Sequence, residues 1–153
     1  MDYCGSIYIN IMIKLKDILL ENDGEELDIL VPRRTEDRLE RMIRTYERMI
    51  RTYIRNGNKG DLNLQDLELT VLPEMIKDIS VDGDFYCGNN RLTSLINSPK
   101  YVTGNFGCSN NRLTSLEHAP KFVGGTFYCR LNPGKFTEKQ VRAVCDVKGD
   151  ILT

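Results

Sequence analysis

The middle of the chain repeats itself with a period of 21 residues. Written from Asp84 the sequence reads DFYCGNNRLTSL, and written from Asn105 it reads NFGCSNNRLTSL. A third copy begins at Thr126 as TFYC and then diverges. Three cysteines share one phase of this period: Cys87, Cys108 and Cys129. A period this short and regular is typical of proteins built by stacking similar units, and not of an enzyme with a deep cleft.

Each position of the repeat has a physical interpretation. Phe and Cys alternate with polar residues, which predicts a short parallel strand with one face turned inward. The recurring Asn can satisfy backbone groups of the following turn that would otherwise be buried without partners. These residues are Asn90, Asn111 and Asn132. The returning half of each unit contains a Pro and then a Val, so we expect Val102 and Val123 to lie in register.

The pattern resembles that of leucine-rich repeats, whose hallmark is L-x-L-x-x-N-x-L followed by a further Leu. The repeat that begins at Asn105 supplies all of these positions: Phe106, Cys108, Asn111, Leu113 and Leu116. The first repeat has Leu67 in place of the Asn, and the fourth has Gly134 in place of a Leu. The resemblance implies an α/β-type solenoid of about four short repeats, with one parallel strand per coil.

The layout around the repeats is similar to that of short leucine-rich repeat proteins from tailed bacteriophage genomes. Those proteins place an arginine-rich helix and a Lys-Gly-Asp-Leu segment ahead of the first repeat. The matching segments here are P-R-R-T from Pro32 and N-K-G-D-L from Asn58. The resemblance implies a phage-encoded accessory protein, but it implies little about activity.

We expect four segments. Residues 1–31 form either a strand or a short helix, and the sequence leaves that choice open. Residues 32–58 form an amphipathic, arginine-rich helix that caps the first repeat. Residues 59–134 contain the repeats, and residues 135–153 form a C-terminal capping helix and tail. The helical pattern of that last segment covers 136–148 and begins with a Thr-x-x-Gln capping box.

Composition and charge argue against several functions. The formal net charge of -1 gives no reason to expect non-specific binding to nucleic acid or to a membrane. Five cysteines, an odd number, favour reduced thiols and a cytoplasmic location, which is the host cytoplasm if the protein is phage-encoded. The cysteines lack the C-x₂-C spacing of metal sites, so we expect buried thiols, with no metal or cofactor. The single histidine, His118, has no partners for a catalytic triad, so we predict no enzymatic activity.

The exposed face of the predicted strands is the favoured partner-binding surface. Repeat proteins usually bind through such a face, and Tyr and Arg are enriched in interface hot spots. Tyr86, Tyr128 and Arg130 are therefore the main candidates, with Asp84 and Asn105 beside them. The alternative is that the face is too small and flat to bind, and that its glycines serve only packing. The favoured hypothesis is a protein-interaction module that binds, and in one version inhibits, a host protein.

Two other functions stay open. A row of arginines on the predicted N-terminal helix could follow a phosphate backbone, as in a nucleic-acid-associated regulator. These are Arg41, Arg44, Arg48, Arg51 and Arg55. The same face could instead be solvated, be paired with neighbouring acids, or bind an acidic protein. Alternatively, the apolar side of this helix could support self-association in a structural role. With these functions open, we expect either a monomer or a small homo-oligomer.

Overall fold

The computed structural model describes residues 33–153, without the side chains of residues 33–37 and of residue 39. The predicted strand or short helix at 1–31 lies outside the described residues. The chain divides into two compact units, Met1–Arg44 and Thr45–Thr153. Of the first unit the structure describes only the beginning of one helix, whereas the second is described throughout.

Helices and short strands follow one another along the described chain. Helix α1 spans Arg33–Arg55, a 3-10 turn spans Glu74–Ile76 and helix α2 spans Glu138–Val144. The strands are β1 (Leu62–Asn63), β2 (Ser80–Val81), β3 (Phe85–Tyr86), β4 (Tyr101–Val102), β5 (Phe106–Gly107), β6 (Phe122–Val123), β7 (Phe127–Tyr128), β8 (Asp146–Val147) and β9 (Ile151–Leu152).

The strands form two sheets, and within each sheet all neighbouring strands are parallel. The first sheet has the order β1-β3-β5-β7-β9 and the second the order β2-β4-β6-β8. Equivalent residues of successive repeats face one another: Phe85 pairs with Phe106, and Phe106 with Phe127. The predicted register of Val102 with Val123 is confirmed. The protein is therefore an α/β structure of parallel strands in two sheets.

The expectation of one strand per repeat is wrong, because each repeat contributes a strand to both sheets. The returning half of the repeat is extended, and its amides bond to the preceding repeat. Thr103 N–H donates to Val81 O at 2.9 Å, and Gly124 N–H donates to Val102 O at 3.0 Å. Burial of Val81, Val102 and Val123 holds this second column of backbone in place.

The core lies between the two sheets and consists of columns of identical or similar side chains. Phe85, Phe106 and Phe127 are fully buried, with ring centroids 5.7 Å and 4.8 Å apart along the column. Spacings in this range suit attractive contacts between aromatic rings. The columns of leucines and of Cys87, Cys108 and Cys129 are buried in the same way. Burial of each large side chain contributes about 1.5–3 kcal/mol.

The asparagine ladder (Asn90, Asn111 and Asn132) confirms the role predicted for it. The side-chain amide of Asn111 donates to Cys108 O at 3.1 Å and to Cys87 O of the preceding repeat at 3.0 Å. Its oxygen accepts from Leu92 N–H at 3.0 Å. Asn90 and Asn132 make equivalent bonds. Each Asn therefore connects the turns of two repeats through groups that are shielded from water.

The C-terminal helix is shorter than the predicted range of 136–148. The capping box is confirmed, since Thr137 N–H donates to Gln140 Oε1 at 2.9 Å and Gln140 N–H donates to Thr137 Oγ1 at 3.4 Å. The helix ends at Val144, however, and the predicted helical residue Val147 lies in β8, paired with Val123. The tail then supplies β9, which pairs with β7. The backbone of Cys145 is extended, which ends the helix and returns the chain to the sheets.

The missing leucine of the fourth repeat is replaced in space by an aromatic ring. The ring of Phe136 occupies the volume that a Cβ on Gly134 would need. Phe136 is buried, as is Val141 one helical turn farther on. The departure from the repeat at Gly134 is therefore compensated within the same core.

The buried face of α1 in the second unit consists of Tyr46, Ile50 and Tyr53. The helix ends at Arg55, and Gly57 then adopts φ +75°, a left-handed conformation that suits glycine after a helix. The Tyr53 hydroxyl donates to Asn58 O and accepts from Asp82 N–H at 3.2 Å. These bonds attach the end of the helix to the first repeat.

Candidate functional site

The outer face of the five-stranded sheet carries two of the predicted site residues. Tyr86 and Tyr128 lie at equivalent positions of β3 and β7, and Gly107 of β5 lies between them in register. Neighbouring parallel strands are about 4.8 Å apart, so the two tyrosine backbones are separated by about 10 Å. Both side chains are half-buried. The strand alternation that predicted this face is thus correct for both tyrosines.

A depression of about 230 Å³ lies between the two tyrosines, and we call it the tyrosine cleft. It is lined by Gln65, Tyr86, Gly88, Asn89, Gly107, Ser109 and Tyr128. Pockets that enclose drug-sized ligands usually measure about 300–1,000 Å³. The tyrosine cleft is therefore of a size to accept a single side chain of a partner.

Tyr86 is held in place at both ends. Its hydroxyl donates to Asp84 Oδ2 at 2.7 Å, and its ring lies over Gly107, where an added Cβ would approach a ring carbon to 2.7 Å. The bond to Asp84, followed by burial, raises the pKa of Tyr86, so the phenol stays protonated and donates. Gly107 therefore has a packing role, because any larger residue would displace this ring.

Asp84 and Asn105, the two flanking candidates, are tied into the backbone. Asp61 Oδ1 accepts from Asp84 N–H at 2.8 Å, and Asp84 Oδ1 accepts from Asn105 N–H at 2.6 Å. Asn105 Oδ1 then accepts from Thr126 N–H at 2.8 Å. These side chains stabilise the start of β3, β5 and β7. The sequence signal for this role is an Asp or Asn immediately before β1, β3 and β5, whereas from the sequence we assign Asp84 and Asn105 to a binding surface.

The carboxylate of Asp84 is shaped by opposing effects. Partial burial raises its pKa, but hydrogen bonds from Asn105 N–H, the Tyr86 hydroxyl and the Asn105 side chain together bring the pKa below its usual value. Asp84 is therefore a charged acceptor that orients Tyr86, and it is unsuited to act as a general acid near neutral pH.

Arg130 occupies the repeat position of Ser109, but unlike Ser109 it does not line the tyrosine cleft. Its side chain is exposed, and its backbone oxygen accepts from Asn110 N–H at 2.9 Å. Asn89, by contrast, lines the cleft and was not predicted as a site residue. It follows the strand in a left-handed conformation with φ +54°, and sequence alternation along the strand does not extend to such a position.

The arginines of α1 are exposed, as predicted: Arg41, Arg44, Arg48, Arg51 and Arg55. Arg44 and Arg51 each pair with an acid one turn earlier on the same helix. Arg44 lies 2.9 Å from Glu40, and Arg51 lies 4.0 Å from Glu47. Exposed pairs of this kind contribute about 0.3–0.5 kcal/mol each. Part of the basic charge is thus offset within the helix itself.

The four thiols that the structure describes are free and buried, which leaves them little nucleophilic character. Burial raises the pKa of Cys129 and of Cys145 to about 11, and it also raises the pKa of Cys87 and that of Cys108. Within residues 33–153, no cluster of three or more His, Cys, Asp or Glu side chains could hold a metal ion.

Comparisons with protein-family models, with curated proteins and with solved structures find no match for this chain. No helix in the described part of the chain is long and apolar enough to cross a membrane.

Proposed function

We propose that this chain is a non-enzymatic protein-interaction module, built as a leucine-rich repeat solenoid, that binds a partner through the outer face of its five-stranded sheet. The tyrosine cleft is the observation that carries the proposal. It is the right size for one side chain, and Tyr86 and Tyr128 are among the residues that line it. Interface hot spots are enriched in Tyr and in well-packed central pockets of this kind.

The solenoid assignment rests on the repeating backbone. Strands at a 21-residue period pair in register in both sheets, and the asparagine ladder links consecutive turns. In this proposal the end of α1 covers the first repeat, with Tyr53 bonded to Asn58 and Asp82. Helix α2 with β8 and β9 completes the other end, since open ends of a solenoid would expose its core.

The outer face is prepared for binding before a partner arrives. The bond from Tyr86 to Asp84 and the packing of its ring on Gly107 restrict the side chain to one orientation. Ordering a mobile side chain on binding costs about 0.5–1.5 kcal/mol, so a fixed tyrosine avoids most of that cost. This favours recognition of a protein surface over a structural role for the ring.

The proposal includes a phage origin, a host protein as the partner and a cytoplasmic setting. The P-R-R-T and N-K-G-D-L segments and their order ahead of the repeats support the origin. The free, buried cysteines support a reducing compartment. In one version of this hypothesis the binding inhibits a host enzyme or defence factor.

A paired substitution tests the binding face. Tyr128→Ala with Arg130→Ala removes the half-buried side chain of Tyr128 and the exposed side chain of Arg130, and it spares the bonds of Tyr86. We expect affinity for a partner captured from infected-cell lysate to fall at least about 30-fold, which corresponds to about 2 kcal/mol. Calorimetric titration with the purified partner measures the change.

The matched control is Tyr101→Ala with Lys121→Ala, which removes the same kinds of side chain from the exposed side of the four-stranded sheet. It should leave affinity within about twofold. Equal losses in both variants, or none in either, would contradict the proposal. Thermal unfolding of each variant separates loss of binding from loss of folding.

Nucleic-acid binding through α1 is the second candidate function. The observation that favours it is that Arg48 and Arg55, two turns apart, make no ion pair with any described residue. If the candidate is correct, affinity for a 20-base-pair duplex or an RNA strand falls linearly with salt on a logarithmic plot. Arg48→Gln with Arg55→Gln should then reduce the slope by about two.

The control for this experiment is Lys121→Gln with Lys139→Gln, which removes the same charge from elsewhere on the surface. It should leave the slope unchanged. No detectable binding to either nucleic acid at low salt eliminates this candidate.

A further inference from the structure

Leu131 adopts a backbone conformation that leucine rarely tolerates. It has φ +56°, and the residue is 78% exposed. The preceding repeats have Asp66, Asn89 and Asn110 at the equivalent position, with φ of +58°, +54° and +55°. Asn and Asp adopt this left-handed region more readily because their short polar side chains can bond locally, whereas a bulky apolar residue there is an outlier.

Leucine also interrupts a chain of side-chain bonds. Asn110 Nδ2 donates to Asn89 Oδ1 at 3.0 Å, and an Asn at 131 could continue this series. With most of its side chain exposed, Leu131 gains little from burial in exchange for the strain. The leucine therefore costs stability and contributes little packing against the described part of the chain. Strained residues of this kind are often found at ligand clamps and other functional sites.

The surroundings of Leu131 are basic. Arg130 precedes it, and Arg112 lies on the neighbouring turn, because Asn110 N–H bonds to Arg130 O at 2.9 Å. Lys135 follows after the turn. All three cations are exposed and make no ion pair with any described residue. An exposed apolar side chain is thus bordered by positive charges that form no ion pair with the described residues.

We propose that Leu131, Arg112, Arg130 and Lys135 form a docking surface for an acidic segment of a partner protein, with Leu131 as the apolar anchor. The occupant is an extended peptide that carries an apolar side chain flanked by Asp or Glu. Charge complementarity selects the acids, and the exposed leucine selects the apolar residue between them. A phosphate backbone offers the charge but no apolar group for Leu131. The inference rests on the proposed protein-binding function and places its anchor outside the tyrosine cleft.

The first test is a stability measurement that needs no partner. Leu131→Asn relieves the backbone strain and extends the series of Asn89 and Asn110, so its urea midpoint should rise above that of the wild type. Leu131→Ala keeps most of the strain and should not rise to the same extent. A lower midpoint for Leu131→Asn would show that the leucine packs within the chain, which overturns the inference.

The second test uses a displayed library of random dodecapeptides, selected on the wild-type protein. We expect enriched sequences with an apolar residue between acids. Synthetic copies should bind Leu131→Asn at least about tenfold more weakly in fluorescence anisotropy, and Arg112→Gln with Arg130→Gln should weaken binding and its salt dependence. The matched control is Ile96→Asn, an exposed apolar residue without positive φ that should leave affinity unchanged.

The outcomes separate this inference from the proposed function. Loss of peptide binding in Leu131→Asn but not in Tyr128→Ala supports the Leu131 surface as a docking site separate from the tyrosine cleft, whose own test is the Tyr128→Ala with Arg130→Ala pair. The reverse pattern overturns the inference and leaves the cleft. Failure to select any peptide with an apolar residue between acids overturns the inference. It is also overturned if the peptides do not bind and a 20-base-pair duplex binds wild type and Leu131→Asn equally well.

Discussion

Ser98 and Ala119 occupy the same position in successive repeats and differ by one oxygen atom. Both are buried, and the backbone N–H of each donates to the carbonyl oxygen of the leucine three residues earlier, at 2.9 Å for Ser98 and 3.1 Å for Ala119. The Ser98 hydroxyl has no hydrogen-bond partner among the described residues. A buried hydroxyl without a partner loses its bonds to water and gains none in return.

Ser98→Ala should therefore raise the free energy of unfolding, by about 1 kcal/mol. The fold already accommodates alanine at this position in the next repeat, so no cavity of consequence is expected. Urea denaturation monitored by circular dichroism measures the change.

Ser115→Ala is the opposite case and serves as the control. Its hydroxyl accepts from Glu117 N–H at 3.0 Å at an exposed turn, so its removal should lower stability by about 0.5 kcal/mol. A destabilised Ser98→Ala variant would mean that the hydroxyl has a partner, and would reject this interpretation.

Residue types at fixed phase predicted much of the local chemistry. The asparagine ladder could be anticipated because a buried turn needs donors and acceptors that an Asn side chain provides. The strained conformation of Leu131 could not, although Asn89 and Asn110 at the same phase mark a position that requires positive φ. The sequence signal for this strain is a repeat position at which only one repeat has an apolar residue where the others have Asn or Asp.

The asparagine ladder connects each repeat to the next at the turns that follow the strands of the first sheet. Asn111 satisfies one N–H and two carbonyl groups there, all through atoms that are buried. Replacement by Ala leaves these groups without partners and creates a small cavity.

Asn111→Ala should lower the free energy of unfolding by about 3 kcal/mol or more, since each unsatisfied buried group costs about 1–3 kcal/mol. Thr114→Ala, an exposed position three residues away, should change it by no more than about 0.5 kcal/mol. Urea midpoints of both variants provide the comparison. Similar values for the two would show that the ladder contributes little to stability.

The elements that the sequence failed to predict are those that depend on distant partners. Strands of two residues, such as β2 and β4, are too short for an alternating pattern to reveal them. The helix prediction over 136–148 included Val147 because its spacing from Val144 suits a helix. Its actual partner, Val123, is 24 residues earlier in the chain, so only the assembled sheet shows the pairing.

At the scale of the molecule, the described repeats combine a uniform interior with a varied exterior. The interior columns of Phe, Cys, Leu and Val change little from repeat to repeat, because each must fit the same space between two sheets. The outer positions carry Asn63, Tyr86, Gly107 and Tyr128 in turn, which differ in size and chemistry. The face could be predicted from strand alternation, but the cleft depends on which repeat carries glycine and how its neighbours fill the gap.

In-register pairing of equal repeats has an evolutionary consequence. Equivalent positions on neighbouring strands are one strand spacing apart, about 4.8 Å, so residues on the outer face are separated by multiples of that distance. Gain of one 21-residue unit between β3 and β7, by unequal recombination of the coding DNA, would move Tyr128 one strand spacing farther from Tyr86. The packing inside each unit would stay the same. Recombination can thus change the distance between recognition residues, while point mutation changes their identity, and neither process needs to alter the core.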